Sequence, residues 1–238
     1  MNLLNVLLQV AMPSQQGSAP LDLTAEIAPA EAQINIFELA TKGGWIMIVL
    51  LLLSFICLYI FIQRWRVISR AAKIDDSFMS RIKDYIHDGK VDSALNLCNT
   101  TKSPMGRMIA KGISRLGRPV NDILASIENA GNIEVAKLEK GFPVIATTAA
   151  GAPMIGFLGT VTGMVRAFFA MAEAGTNVDI PLLSGGIYEA LVTTVGGLIV
   201  GIVALFAYNF LVARVDSVVN KMETTTMDFM DMLNEPAN

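Results

Sequence analysis

The sequence predicts an all-α membrane protein with three transmembrane helices and long cytoplasmic helical extensions. Of its 238 residues, 53% are hydrophobic and only 16% are charged, whereas soluble domains contain about 25% charged residues. Three apolar stretches lie at 44–62, 143–172 and 190–213. Crossing a hydrocarbon core of about 30 Å takes roughly 20 helical residues. Because a soluble domain of this size seldom contains three such stretches, we expect three spans.

The positions of the basic residues predict how these spans are oriented. Of the 18 Lys and Arg residues, 14 lie between Arg64 and Lys140, and basic residues accumulate in cytoplasmic segments close to the membrane. The region before the first span and the loop between the second and third are instead acidic, so both should face outward. The predicted segments are an outward-facing interfacial helix with its tether at 1–42, transmembrane helices at 43–63, 143–172 and 185–213, a cytoplasmic helical domain at 64–142, an outward-facing loop at 173–184 and a cytoplasmic C-terminal helix at 214–238.

The N-terminal segment "MNLLNVLLQVAMP" has its leucines at helical spacing and its polar residues on the other side. This pattern is typical of a helix lying in the membrane interface. A cleaved signal peptide is the alternative. The segment lacks a basic stretch before its apolar run, so we expect it to be retained.

Turn residues divide the predicted cytoplasmic domain into short helices. The breaks fall at Gly89, at "SPMG" (103–106) and at "LGRP" (116–119). After Arg214 the apolar residues keep a helical spacing, which predicts that the third span continues as one long helix.

The chain carries no recognisable equipment for covalent chemistry. It has no P-loop and no nucleophile elbow. Cys57 and Cys98 are far apart, and His87 is the only histidine, so no metal-ligand spacing is present. We therefore expect neither an enzyme nor a cofactor, and the net charge of −3 predicts no nucleic-acid partner.

The second and third spans each carry a stripe of small residues at steps of three and four. Such stripes allow helix backbones to approach closely in a membrane. Two interpretations are open: the stripes pack against each other, or they line a pore. Their members are Ala149, Ala152, Pro153, Gly156, Thr160, Gly163 and Ala167 on the second span, and Gly186, Ala190, Thr194, Gly197, Gly201 and Ala204 on the third.

Polar residues on these two spans fall at two matching depths. In antiparallel helices joined by a short loop, residues equidistant from the turn lie at the same level. Thr160 then lies level with Thr194, and Arg166 level with Glu189, roughly 8 to 9 Å nearer the outer surface. A charge within a membrane normally finds a partner, so we expect an ion pair in the helix–helix interface. At about 100° per residue, the threonines should face elsewhere.

The motif "GFLGTVTGM", followed after a short acidic loop by "GGIYEALVTTVGGLIVGIVALFAYN", resembles the paired signature of the MotA/TolQ/ExbB proton-channel family. Three spans with an outward N-terminus resemble the ExbB and TolQ branch. The resemblance covers about residues 36 to 233. It implies a homopentamer around a central pore in the bacterial inner membrane, with a periplasmic N-terminus and a cytoplasmic C-terminus.

The same resemblance implies partners and residue roles. An ExbD-type subunit would place its transmembrane helices in the pore, and membrane lipids would surround the ring from outside. The proton flow would drive a TonB-type protein. By motif position, Thr160 and Thr194 correspond to the pore-lining threonines and Glu189 to the family glutamate. Arg166 and Thr162 depart from the familiar pattern. Two alternatives stay open: a TolQ-like subunit for envelope integrity, and a membrane scaffold that conducts nothing.

Overall fold

A computed structural model of the chain describes residues 43–73, 77–175 and 180–234, with the backbone alone described for 180–183. All of these residues belong to one unit, residues 36–238. The predicted interfacial helix and tether at 1–42 lie outside the described residues, and so do residues 176–179 of the loop predicted at 173–184. The described helices are α1 Gly44–Ala71, α2 Phe78–His87, α3 Val91–Thr101, α4 Pro104–Ile113, α5 Val120–Glu139, α6 Phe142–Ala174 and α7 Ile180–Asn234.

Three of these helices, α1, α6 and α7, are long and apolar enough to cross a membrane. The prediction of an all-helical protein with three candidate spans is therefore confirmed. Helix α1 has no acidic residue in its first turn and carries Arg70 in its last turn, where a cation is favoured by the helix dipole. Most of the apolar surface of the three spans is exposed in the single chain, so lipid or neighbouring protein must cover it.

Helix α7 is continuous over 55 residues, as the spacing of its apolar residues predicts. At 1.5 Å per residue it is about 80 Å long, and a hydrocarbon core accounts for only about 30 Å of that length. Its second half packs against α2, α4 and α5. On this side of α7, Val218 and Phe229 are fully buried.

The domain between the first and second spans is built from α2–α5 and closes around a shared apolar core. Ile82, Ile109 and Ile127 are fully buried there. The predicted breaks coincide with the helix ends: Gly89 has a left-handed φ of 71° just after α2, where glycine is favoured because it lacks a Cβ. Ser103 caps α4 by accepting a hydrogen bond of 3.0 Å from the Gly106 amide, with Pro104 in the first turn.

Candidate functional site

Helices α6 and α7 pack against each other backbone to backbone through their small residues. A Cβ added at Gly156 would lie 3.1 Å from the Gly197 Cα, and one added at Gly163 would lie 3.0 Å from the Ala190 Cβ. Contacts of this length leave no room for a larger side chain. Of the two interpretations of the small-residue stripes, the structure supports packing of the stripes against each other within one chain.

Thr160 and Thr194 lie opposite each other in this interface, and their hydroxyl groups are hydrogen-bonded to each other. Each hydroxyl also lies 3.4 or 3.3 Å from the Ala190 carbonyl oxygen, and the Gly156 carbonyl is a further acceptor. The prediction that the two threonines share a depth agrees with this contact. The prediction that they face away from the helix interface was wrong, because they belong to the small-residue stripes that pack together.

Arg166 and Glu189 form an ion pair, with 3.4 Å between the Arg166 Nη1 and the Glu189 Oε1. The pair lies at the edge of the interface: 60% of the Arg166 side chain and 29% of the Glu189 side chain are exposed. The expected position inside the interface was therefore wrong. Ala167, which is buried, occupies the stripe and packs on Gly186, so the preceding residue is rotated outward by about 100°.

A third threonine in this region was missed by the sequence reasoning. Thr193 is 1% exposed, and its hydroxyl donates a 2.8 Å hydrogen bond to the Ala190 carbonyl within α7. Its side chain fills the space that a Cβ at Gly159 would need. The adjacent threonines in "VTTVGG" are the sequence signal, but only the packing distinguishes Thr193, which is enclosed, from Thr194, which is half-buried.

Outside the candidate spans, Glu134 on α5 is a nearly buried carboxylate that the sequence reasoning also missed. It accepts hydrogen bonds from Arg107 on α4 and, at 2.6 Å, from the Lys137 Nζ. Burial opposes ionisation, but the hydrogen bonds and positive charges of these two partners outweigh it, so the pKa of the Glu134 carboxyl is lowered. Glu134 thereby links α4 to α5.

The two cysteines are buried free thiols. Burial raises the pKa of the Cys98 thiol to about 11, so it stays protonated and unreactive at neutral pH. Among residues 43–73, 77–175 and 180–234, no three His, Cys, Asp or Glu side chains are grouped closely enough to hold a metal ion. The groups that the candidate site brings together in the α6–α7 hairpin are the hydroxyls of Thr160 and Thr194 and the Arg166–Glu189 ion pair.

Known proteins resemble this chain, two of them over most of its length. A putative biopolymer transport protein ExbB homolog from Methanothermobacter thermautotrophicus is 26% identical over 193 residues, which cover 79% of this chain and 67% of that protein. The Tol-Pal system protein TolQ of Haemophilus influenzae is 27% identical over 221 residues, covering 87% of this chain and 96% of TolQ. The biopolymer transport protein ExbB of Xanthomonas campestris pv. campestris is 37% identical over 106 residues, covering 44% of this chain and 42% of that protein.

The family match includes all four residues of the candidate site. Residues 100–224 match the MotA/TolQ/ExbB proton channel family, and this range holds Thr160, Arg166, Glu189 and Thr194 in the hairpin of α6 and α7. The range is more than half of the chain. The chain belongs to the MotA/TolQ/ExbB proton channel family.

Proposed function

We propose that this protein is the ExbB-like stator subunit of an energy-transducing motor in the bacterial inner membrane. Five copies surround a pore that holds the transmembrane helices of an ExbD-type subunit. Protons pass inward between the ring and the helices of the ExbD-type subunit. The resulting movement drives a TonB-type protein that serves outer-membrane import. Each elementary charge that crosses 100 mV releases about 2.3 kcal/mol, so a few protons supply enough free energy for a mechanical step.

The observation that carries this proposal is the hydroxyl pair of Thr160 and Thr194. The pair is half-buried and lies on stripes whose other members are small and apolar. Hydroxyl groups both donate and accept hydrogen bonds, so they can solvate the carboxylic acid of a neighbouring helix in either protonation state. The only carboxylate within the predicted spans of this chain is Glu189, which pairs with Arg166. A partner subunit must therefore supply the group that carries the proton.

The orientation in this proposal rests on the charges of the sequence. The domain between α1 and α6 is rich in Lys and Arg, which favours the cytoplasmic side. The N-terminus is then periplasmic, and the C-terminal half of α7 lies in the cytoplasm. The proposal of a ring of five rests on the family membership. The small-residue stripes do not support it, because they already pack against each other within one chain.

The first prediction concerns the two hydroxyls. Valine has nearly the shape of threonine but no hydroxyl, so Thr160→Val with Thr194→Val should abolish proton flux into liposomes that contain the protein and its ExbD-type partner. The two hydroxyls can donate two hydrogen bonds, to each other or to the Gly156 and Ala190 carbonyls, so their removal should cost only about 1 to 3 kcal/mol of stability. Co-purification of the partner should persist.

Thr162→Val is the matched control, because the Thr162 hydroxyl donates to carbonyls of its own helix, at 2.9 Å for Leu158. This variant should conduct normally. Undiminished flux in the double variant would remove Thr160 and Thr194 from the proton path. The absence of flux in the unmodified complex would favour a scaffold that conducts nothing. Co-purification of a Tol-type partner in place of the TonB-type protein would favour the TolQ-like role.

A further inference from the structure

The start of α1 lies directly against the Glu189 carboxylate of α7. A Cβ built at Gly44 would collide with the Glu189 Oε1 and would lie 3.4 Å from the Glu189 Cδ. The same oxygen accepts the ion-pair contact from Arg166 on α6. One carboxylate thus touches groups from both of the other candidate membrane helices, although Gly44 and Glu189 are far apart in the sequence.

The first turn of α1 suits a carboxylate that comes from another helix. The helix has no acidic residue in its first turn, and its N-cap residue, Gly43, has no side chain that could cap the first amide groups. The first amide groups of a helix lack partners within the helix, and its N-terminus carries a partial positive charge. An anion placed there is stabilised by both effects.

A second close approach between α1 and α7 lies further along both helices and has the opposite arrangement. Here the glycine is on α7: a Cβ at Gly196 would lie 3.0 Å from the Met47 Cε and 3.1 Å from the Met47 Sδ. Leu50 is the next neighbour, at 3.8 Å. Each helix therefore offers a glycine to a side chain of the other, which fixes both the register and the rotation of α1 against α7.

We propose that Gly44 is a positioning residue for Glu189: because it has no side chain, the Glu189 carboxylate lies on the first turn of α1 and, together with Arg166, joins the three membrane helices at one level. This contact sets the rotation of α7 about its own axis. Thr194 lies five residues further along α7, so the same rotation directs its hydroxyl towards Thr160. This last consequence rests on the proposed function, whereas the contact itself does not.

The test compares glycine substitutions in the full-length protein, with the thermal unfolding midpoint in detergent as the readout. Gly44 has a φ of 63° and Gly89 a φ of 71°, but a Cβ at Gly89 would meet nothing within 4 Å. Gly89→Ala therefore measures the strain of a positive φ without a collision. Gly44→Ala should lower the midpoint by about twice as much, because the collision with Glu189 adds to that shared strain.

Two further variants separate collision from backbone strain. Asparagine tolerates a left-handed conformation, so Gly44→Asn should still be destabilised if the collision matters. In a Glu189→Ala background, Gly44→Ala should cost no more than Gly89→Ala does. The proposal is overturned if Gly44→Ala and Gly89→Ala shift the midpoint equally, if Gly44→Asn unfolds like the unmodified chain, or if removing the Glu189 side chain fails to relieve Gly44→Ala. Proton flux per reconstituted complex is measured separately, so its absence would count against the proposed function and leave this comparison intact.

Discussion

At the scale of single residues, the two polar pairs of the hairpin differ in how deeply they are buried. Thr160 and Thr194 meet across the packed stripes, whereas Arg166 and Glu189 meet at their edge. Ion pairs that are largely exposed contribute about 0 to 1 kcal/mol, and fully buried pairs lose about 3 to 5 kcal/mol when one partner is removed. The Arg166–Glu189 pair lies between these cases, since its acid is the more buried member.

Arg166→Ala should therefore cost about 1 kcal/mol, and Glu189→Ala should cost more, because Glu189 also contacts the start of α1. Both are measured as unfolding midpoints of the full chain in detergent. A charge swap, Arg166→Glu with Glu189→Arg, should restore only part of the loss, since it places a cation at the N-terminus of α1. Single variants that unfold and function like the unmodified protein would contradict the pairing.

At the scale of helices, the domain between α1 and α6 is held by its apolar core and by one polar connection between α4 and α5. The Glu134 side chain is 5% exposed, whereas the side chains of its partners Arg107 and Lys137 are 46% and 61% exposed. A buried acceptor that is bonded to charged donors contributes more than a neutral hydrogen bond does. Protonation of the Glu134 carboxylate would therefore weaken the connection between α4 and α5.

Glu134→Gln should reduce the stability of this domain at pH 7 by about 1 to 2 kcal/mol. Because the folded-state pKa of Glu134 is lowered below the unfolded value of about 4.3, its contribution is complete above that value and is lost as the pH falls through the folded pKa. The unmodified domain should weaken on acidification below about pH 4.3, and the variant should weaken less.

Hydrogen exchange of α4 and α5 amides, followed by mass spectrometry on the full chain, measures this difference. Glu128→Gln is the control, since Glu128 is on the same helix and is exposed. Equal acid sensitivity of the Glu134 variant and the unmodified chain would contradict the role of Glu134.

At the scale of the whole molecule, the small-residue stripes do not argue for a ring. They are occupied within one hairpin, so a single chain satisfies its own closest helix contact. What it leaves uncovered is large and apolar, including Phe157, Phe169 and Phe206, each more than 60% exposed. Side chains of this kind suit lipid or a neighbouring subunit equally, and the proposed ring of five would supply the neighbour.

The purified protein should form a ring of five. Native mass spectrometry of the detergent-solubilised protein, with the ExbD-type partner present and absent, should show mainly five copies of this chain. A spectrum dominated by monomers or dimers in both samples would contradict the ring and the pore at its centre.

The sequence by itself determined the three candidate spans, the helix breaks and the depths of the polar residues. Hydrophobic length decides how many helices cross a membrane, and the rise of 1.5 Å per residue converts distance from a turn into depth. These quantities are local, so Thr160 could be matched with Thr194 and Arg166 with Glu189 before any contact was known.

Only the tertiary structure decided which way each side chain faces. The rotation of a helix about its axis depends on the partner surface that its smallest residues can approach, and that surface belongs to another part of the chain. Packing of the stripes brought the threonines inside and left the ion pair at the edge, the reverse of the expected arrangement. The approach of Gly44 to Glu189 joins residues far apart in sequence, and no local pattern encodes it because it exists only when α1 packs against α7.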